Sequence, residues 1–262
     1  RALPSQPDVY TRLMRAVRSE DVGMEDIASI VEENPSVAAR VLQLVNSAFF
    51  GLPRPTASIK EAVVFIGTKT LRTLVLSVEA FRDLELGASA QGLDATALQE
   101  HAVTTARLAA EMVPVADREA AYSAGLLHSI GLLVLASQLA EDWERIVTEA
   151  REQQRSLLEV EKLVLGVDHG QVAAALLSLW GLPHDVIEAV AQHLHPSPVS
   201  GFGGRLVGVT HVASRLADEI SPPYLADVPG TPIDHEYLEV DGSAKSLDDW
   251  RYLAEQIADG VA

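Results

Sequence analysis

The sequence predicts an all-α, multi-helical fold with two helical lobes, and three observations carry that expectation. Apolar residues recur at helical spacing in segment after segment, as in Val37, Val41, Leu44 and Val45. Helix-capping and helix-stopping residues bracket these segments, among them Asn34-Pro35 and Gly181-Leu-Pro183. Alternating polar and apolar runs of the kind a half-buried strand needs are absent, as is any repeat of fixed period.

In chain order, a first helix is expected over Val9 to Val17, after Pro7-Asp8. A second runs from Met24 to Glu33, with Ile27, Ile30 and Val31 on one face. Asn34 caps a third, Ser36 to Asn46, with Pro35 where its missing N–H costs nothing. That helix ends in Asn46-Ser-Ala-Phe-Phe-Gly51, followed by the turn-rich Leu52-Pro-Arg-Pro55. Asn46-Ser47 reads either as a helix end or as a lobe–lobe or ligand contact. Ser58-Ile-Lys-Glu61 fits a capping box, and the helix it opens is expected to stop at Gly67. Another helix is expected over Leu71 to Phe81, and Gly87 to Gly92, small and polar, marks the expected lobe boundary.

Asp94 then caps a helix to about Val113, whose inward face includes Leu98, His101, Ala102 and Thr105. Ala120 to Ala136 is apolar nearly all round and reads as one buried helix with His128 in its middle. Trp143 to Gln153 reads as an amphipathic, solvated helix. Ser156-Leu-Leu-Glu159 is a second capping box, with a stop at Gly166. Asp168 caps a helix that places His169, Val172, Ala173, Leu176 and Trp180 on one face. Val186, Ile187, Val190 and Leu194 make the next buried face, with His193 beside Val190. A loop is expected over Pro196 to Gly204 and a last core helix over Arg205 to Ile220. After Pro222-Pro223 comes a polar extension with one short helix at Leu247 to Ile257.

Composition narrows the function. With 262 residues the chain has room for one large domain or two small lobes. The balance of 37 acidic against 20 basic residues leaves a net charge of −17, which repels phosphate backbones and argues against a nucleic-acid partner. No uninterrupted apolar run of the roughly 18 residues a membrane span requires is expected. The absence of cysteine excludes disulfides and thiolate metal sites and fits a bacterial cytoplasmic protein. Arg1-Ala-Leu-Pro-Ser5 is neither a signal peptide nor an initiator start, so the chain is expected to be a piece excised from a longer one. No Gly-rich phosphate loop is present.

Chemistry points to the histidines. His101, His128, His169 and His193 all fall on apolar helix faces, so several imidazoles aim at one interior. Imidazole suits Zn, Fe, Ni or Mn, and hydrolytic sites add carboxylates. Ser129, not an acid, follows His128, and no buried acid is expected beside the four. A divalent ion would then keep most of its charge uncompensated in a core, which is costly. His101 and His128 are therefore expected as core imidazoles bonded to each other, to Ser129 or to backbone, and His184, His195, His211 and His235 as solvated residues near helix starts or loops.

The order of motifs resembles the HDOD family, output domains related to the HD-type metal-dependent phosphohydrolases. In the first lobe the resemblance rests on Leu3-Pro4, Asn34-Pro35, Leu42-Gln-Leu-Val-Asn-Ser-Ala-Phe-Phe-Gly51, Ser58-Ile-Lys-Glu-Ala62 and Phe65-Ile-Gly67. In the second it rests on Glu100-His101, Gly125-Leu-Leu-His-Ser-Ile-Gly131, Asp168-His169, Leu179-Trp-Gly-Leu-Pro183 and His193. It implies an HDOD domain over 1–221, with lobes 1–92 and 93–221 and an extension over 222–262. It also implies a metal site in which His101 and His128 match the histidines, while Ser129 and Ser214 stand where two aspartates belong. In a second-metal set His169 and His193 match, and Leu194 replaces a further histidine. These departures lead to the expectation of a degenerate site with no metal, no cofactor and no catalysis. The function expected is that of a signalling output domain in a two-component or multidomain protein. Its partner would be a protein, such as a receiver domain, or a nucleotide second messenger. The alternative is a metal-dependent phosphodiesterase.

Overall fold

The computed structural model describes residues 7–17, 23–46, 50, 52–89, 92–196, 202–241 and 246–258. Leu3-Pro4, Ser47-Ala48-Phe49, Gly51 and the middle of the Pro196–Gly204 stretch lie outside them. Among the described residues every regular element is helical. The chain packs as two compact units, one of Ser5–Asp83 and the other of Leu84–Asp259.

The first unit holds α1 (Asp8–Val17), α2 (Met24–Glu32), α3 (Pro35–Val45) and most of α4 (Ile59–Ser89). Helix α2 packs between α1 and α3. Asn34 caps α3 as expected, its side chain accepting from Val37 N–H. Asn46 ends the same helix and clamps the following loop, donating to the Thr56 carbonyl and accepting from the Thr56 N–H, both at 2.8 Å. That gives Asn46 a structural role within its own unit. The buried carboxylate of Glu79 on α4 accepts from the N–H groups of Val9 and Tyr10 at 3.3 and 2.9 Å. An anion there satisfies two free donors and complements the positive end of α1.

Gly67 interrupts α4 with φ 79° and ψ 162°, a conformation side chains disfavour, and this is the break its sequence signalled. The helix beyond it runs to Ser89 rather than stopping at Phe81, so the start of the Gly87–Gly92 stretch is helical. One interior glycine costs a helix only about 1 kcal/mol and does not end it. The division between units falls at Asp83 and Leu84, earlier than the expected boundary at residue 92.

The second unit comprises α5 (Ala95–Glu111), α6 (Arg118–Leu127), α7 (Ile130–Gln138), α8 (Ala140–Gln153), α9 (Leu157–Leu165), α10 (His169–Leu179), α11 (His184–Gln192), α12 (Phe202–Ile220), α13 (His235–Asp241) and α14 (Leu247–Ala258). Helix α5 packs on α6 and α12, α10 on α7 and α11, and α11 on α6 and α12. The expected caps form at Asp94, Ser156 and Asp168, and Gly166 closes α9 in the left-handed region.

Two expectations are corrected here. Ala120 to Ala136 is not one helix, because His128 and Ser129 form a turn between α6 and α7. The span Val115–Gln138 is apolar and long enough to cross a membrane, yet it is mostly buried inside the fold. The second correction concerns residues 222–258, which belong to the compact unit rather than extending from it. Tyr224 accepts from the N–H of Asp94 through its carbonyl, Tyr237 donates its hydroxyl to Gly204, and α14 packs on α5 and α12. The extra helix α13 is too short and too polar to stand out by periodicity.

Candidate functional site: a buried chain of histidines

The four histidines singled out by sequence do meet. Ring centroids lie 5.2 Å apart for His101 and His128, 5.0 Å for His128 and His193, and 5.7 Å for His193 and His169. All four side chains are buried. His101 comes from α5, His128 from the C-cap of α6, His193 from the C-cap of α11, and His169 opens α10.

Close backbone approach sets these spacings. A Cβ added to Gly125 would lie 2.7 Å from Ala106 Cα, so only glycine lets α6 press against α5 there. At Gly131 it would lie 1.9 Å from the His169 carbonyl oxygen, which fixes α7 against α10.

Each imidazole is oriented by one specific bond. His128 Nδ1 donates to the Gly125 carbonyl at 2.6 Å, and His193 Nδ1 to the Val190 carbonyl at 2.7 Å. Both carbonyls belong to last turns, where helices leave acceptors unpaired. Burial and neighbouring imidazoles push both histidines well below their ordinary range, so both stay neutral with a bare Nε2. Of the bonds expected for His101 and His128, those to backbone form, at the Ser214 and Gly125 carbonyls, whereas those between the two rings or to Ser129 do not.

The expectation that no buried acid lies near the cluster is overturned. Glu161 on α9 is 0% exposed, and its carboxylate accepts from His169 Nδ1 at 2.8 Å and from the His169 N–H at 2.9 Å. At the other end, Asp218 Oδ1 accepts from His101 Nε2 at 2.9 Å, and the Ser214 carbonyl lies 3.2 Å from the same nitrogen. Asp218 Oδ2 meets Arg215 Nη1 at 3.1 Å, and Arg215 also reaches the Thr231 carbonyl at 3.4 Å. Burial opposes ionisation of Asp218, but the His101 bond and the Arg215 charge outweigh it and hold the carboxyl below its usual range. Asp218 sits one turn beyond Ser214, the position sequence had marked for an acid.

His211 is likewise buried rather than solvated: Nδ1 donates to the His193 carbonyl at 2.7 Å and Nε2 accepts from the Asp234 N–H at 2.9 Å. Burial pushes its pKa down to about 4. The signal for it was available, since Val207, His211 and Ser214 share the inward stripe of α12. Ser129 Oγ, Ser214 Oγ, His101 Nδ1 and His193 Nε2 are buried without a hydrogen-bond partner in the protein. Leu194 is a buried apolar wall residue. Among the described residues, no three His, Asp or Glu side chains converge as a metal-binding group.

Comparison with known proteins places this arrangement. The HDOD domain family model matches residues 3–196. An uncharacterised Treponema pallidum (strain Nichols) protein is 28% identical over 194 residues, 73% of this chain; the chain spans only 37% of that relative's length. An HDOD domain protein of unknown function from Geobacter sulfurreducens superposes with a TM-score of 0.73 at 20% identity, over 98% of this chain and 94% of the other. A Shewanella amazonensis SB2B protein, provisionally named a phosphohydrolase, gives 0.68 at 23% identity, over 99% and 95%. At these identities the structural likeness speaks for the fold. With its all-helical architecture and a match over most of its length, the chain belongs to the HDOD family.

Proposed function

We propose that this chain is a non-catalytic signal-transduction module, a regulatory output domain that works by binding a protein partner or a ligand. The observation that carries this reading is the closed hydrogen-bonded cluster of His101, Asp218 and Arg215. A hydrolytic metal needs carboxylates whose charge is free to offset its own. Among the described residues, the acid at the His101 end, Asp218, is already divided between an imidazole and a guanidinium. The fixed charge of Arg215 also depresses His128, His193 and His211, and would repel a cation at the same place. At the far end Glu161 is spent on His169. Serines at 129 and 214 add hydroxyls, which are poor substitutes for carboxylate ligands. The donor set thus fits a divalent ion badly.

The test is elemental analysis of protein purified without chelator, with a bis(p-nitrophenyl) phosphate hydrolysis assay on the same sample. Substoichiometric metal and no hydrolysis are expected. Near-stoichiometric Fe, Mn, Zn or Ni together with hydrolysis would overturn the reading and restore a phosphodiesterase.

A further inference from the structure

Helices α9, α10 and α12 and the segment 223–231 line a cleft of about 150 Å³ at the Arg215–Asp218 pair. Pockets for drug-sized ligands run to roughly 300–1,000 Å³, so this cleft suits a smaller molecule. Its apolar lining includes Leu158, Leu194 and Val228. Its polar lining includes Arg215, Asp218 and His169.

Arg215 is nearly buried, and of its guanidinium only Nη1 is hydrogen-bonded; Nε finds no partner. A buried guanidinium with unmet donors suits a carboxylate, which it can take in a two-point contact. Asp218 lines the same cleft with its side chain 24% exposed, and each of its oxygens has one partner and room for another. His169 gives its Nδ1–H to Glu161.

Charge decides the class of ligand. A simple anion would bring its charge against Asp218, and a simple cation would bring its own against Arg215. A molecule bearing both poles satisfies the pair together, and a short hydrocarbon body fits the apolar lining. We propose that the cleft binds a small zwitterion, an α-amino acid with an apolar side chain, its carboxylate on Arg215 and its ammonium on Asp218. This deepens the regulatory reading above and rests on it.

The test is isothermal titration calorimetry of the 262-residue chain with L-valine, L-leucine, L-isoleucine and L-methionine as probes. Two one-poled analogues of leucine, 3-methylbutylamine and 4-methylpentanoate, serve as controls. At least one amino acid is expected to bind, with both analogues weaker by about tenfold or more. Because Arg215→Ala strands Asp218 and can unfold the chain, the companion variant is Val228→Trp, which fills the cleft from a half-exposed position; it is expected to abolish binding with its circular dichroism unchanged. No heat from any amino acid up to ~10 mM, analogues equal to leucine, or undiminished binding by folded Val228→Trp overturns the proposal. The hydrolysis assay separates the two readings: phosphodiester turnover sinks the regulatory reading, whereas no turnover and no binding sinks the amino-acid site alone.

Discussion

His101 Nε2 and Asp218 Oδ1 meet at 2.9 Å, and the carboxylate that makes this bond stands one helical turn past the residue sequence had marked, Ser214. The two positions therefore differ in what their loss does. Asp218→Ala strands His101 and Arg215 together and should cost about 2–4 kcal/mol, towards the lower part of the range for breaking a buried pair because Asp218 keeps some solvent contact. Ser214→Ala removes a buried hydroxyl that has no partner and should lie within about 0.5 kcal/mol of the parent or stabilise it. Urea unfolding of the two variants, read from midpoints at constant slope, checks the contrast.

Glu161 anchors the opposite end. It accepts both the backbone N–H and the ring N–H of His169, and an amide oxygen at that position can satisfy them only weakly. Glu161→Gln should lower stability by about 2–3 kcal/mol, the range for a lost charge-assisted bond. Chemical denaturation measures it, and a near-neutral result would mean that the pair is dispensable.

Acid should unfold the protein in two stages. His128, His193 and His211 have folded pKa values below the unfolded value near 6.5, that of His211 at about 4. Between those limits the unfolded chain binds more protons, so stability falls as pH drops from 6.5 towards 4, by up to about 1.4 kcal/mol per pH unit per histidine. His211 alone accounts for roughly 3 kcal/mol at the lower end of the window. Asp218 runs the same way at lower pH: its lowered pKa contributes stability above the unfolded value of about 3.9, which is lost as pH falls through the folded value. Thermal midpoints from pH 8 to pH 4 should decline first below about 6.5.

Glycine substitutions should sort by geometry. Gly131→Ala drives a methyl into the His169 carbonyl and should cost about 3 kcal/mol or more. Gly166→Ala meets nothing within 4 Å and pays only for its φ of 75°, about 1 kcal/mol. Equal losses would show that the contact between α7 and α10 is soft. Thermal denaturation of the two variants decides it.

Much of this was legible in the sequence. Asn34, Asp94, Ser156 and Asp168 cap helices where their spacing to the next apolar run says they should, because capping is local chemistry. The four histidines could be grouped because each sits on an apolar stripe. What failed was non-local. The turn at His128-Ser129 is held by an imidazole on the Gly125 carbonyl, and no hydropathy pattern carries that bond. Glu161 reads as an ordinary acid on the polar side of an amphipathic helix until α10 arrives beside it. Asp218 was missed because the family pattern points to Ser214, and a shift of one turn keeps an acid on the same face while changing its number by four. His211 lies on the inward stripe of α12, so its burial follows from its own helix and not from the loops nearby.

The glycines that let α6 reach α5 and α10 reach α11 have a consequence for observing this molecule. Gly125 nearly touches Ala106, and Gly170 lies where a Cβ would fall 2.9 Å from the Val190 carbonyl. With the main chains in contact and each ring pinned by its own Nδ1 or Nε2 bond, an imidazole cannot report on side-chain motion alone. A change in its magnetic environment registers displacement of a whole helix. The four rings form a gauge buried across α5, α6, α10 and α11, and imidazole nitrogen NMR shifts would read when any of those rods slides against its neighbour.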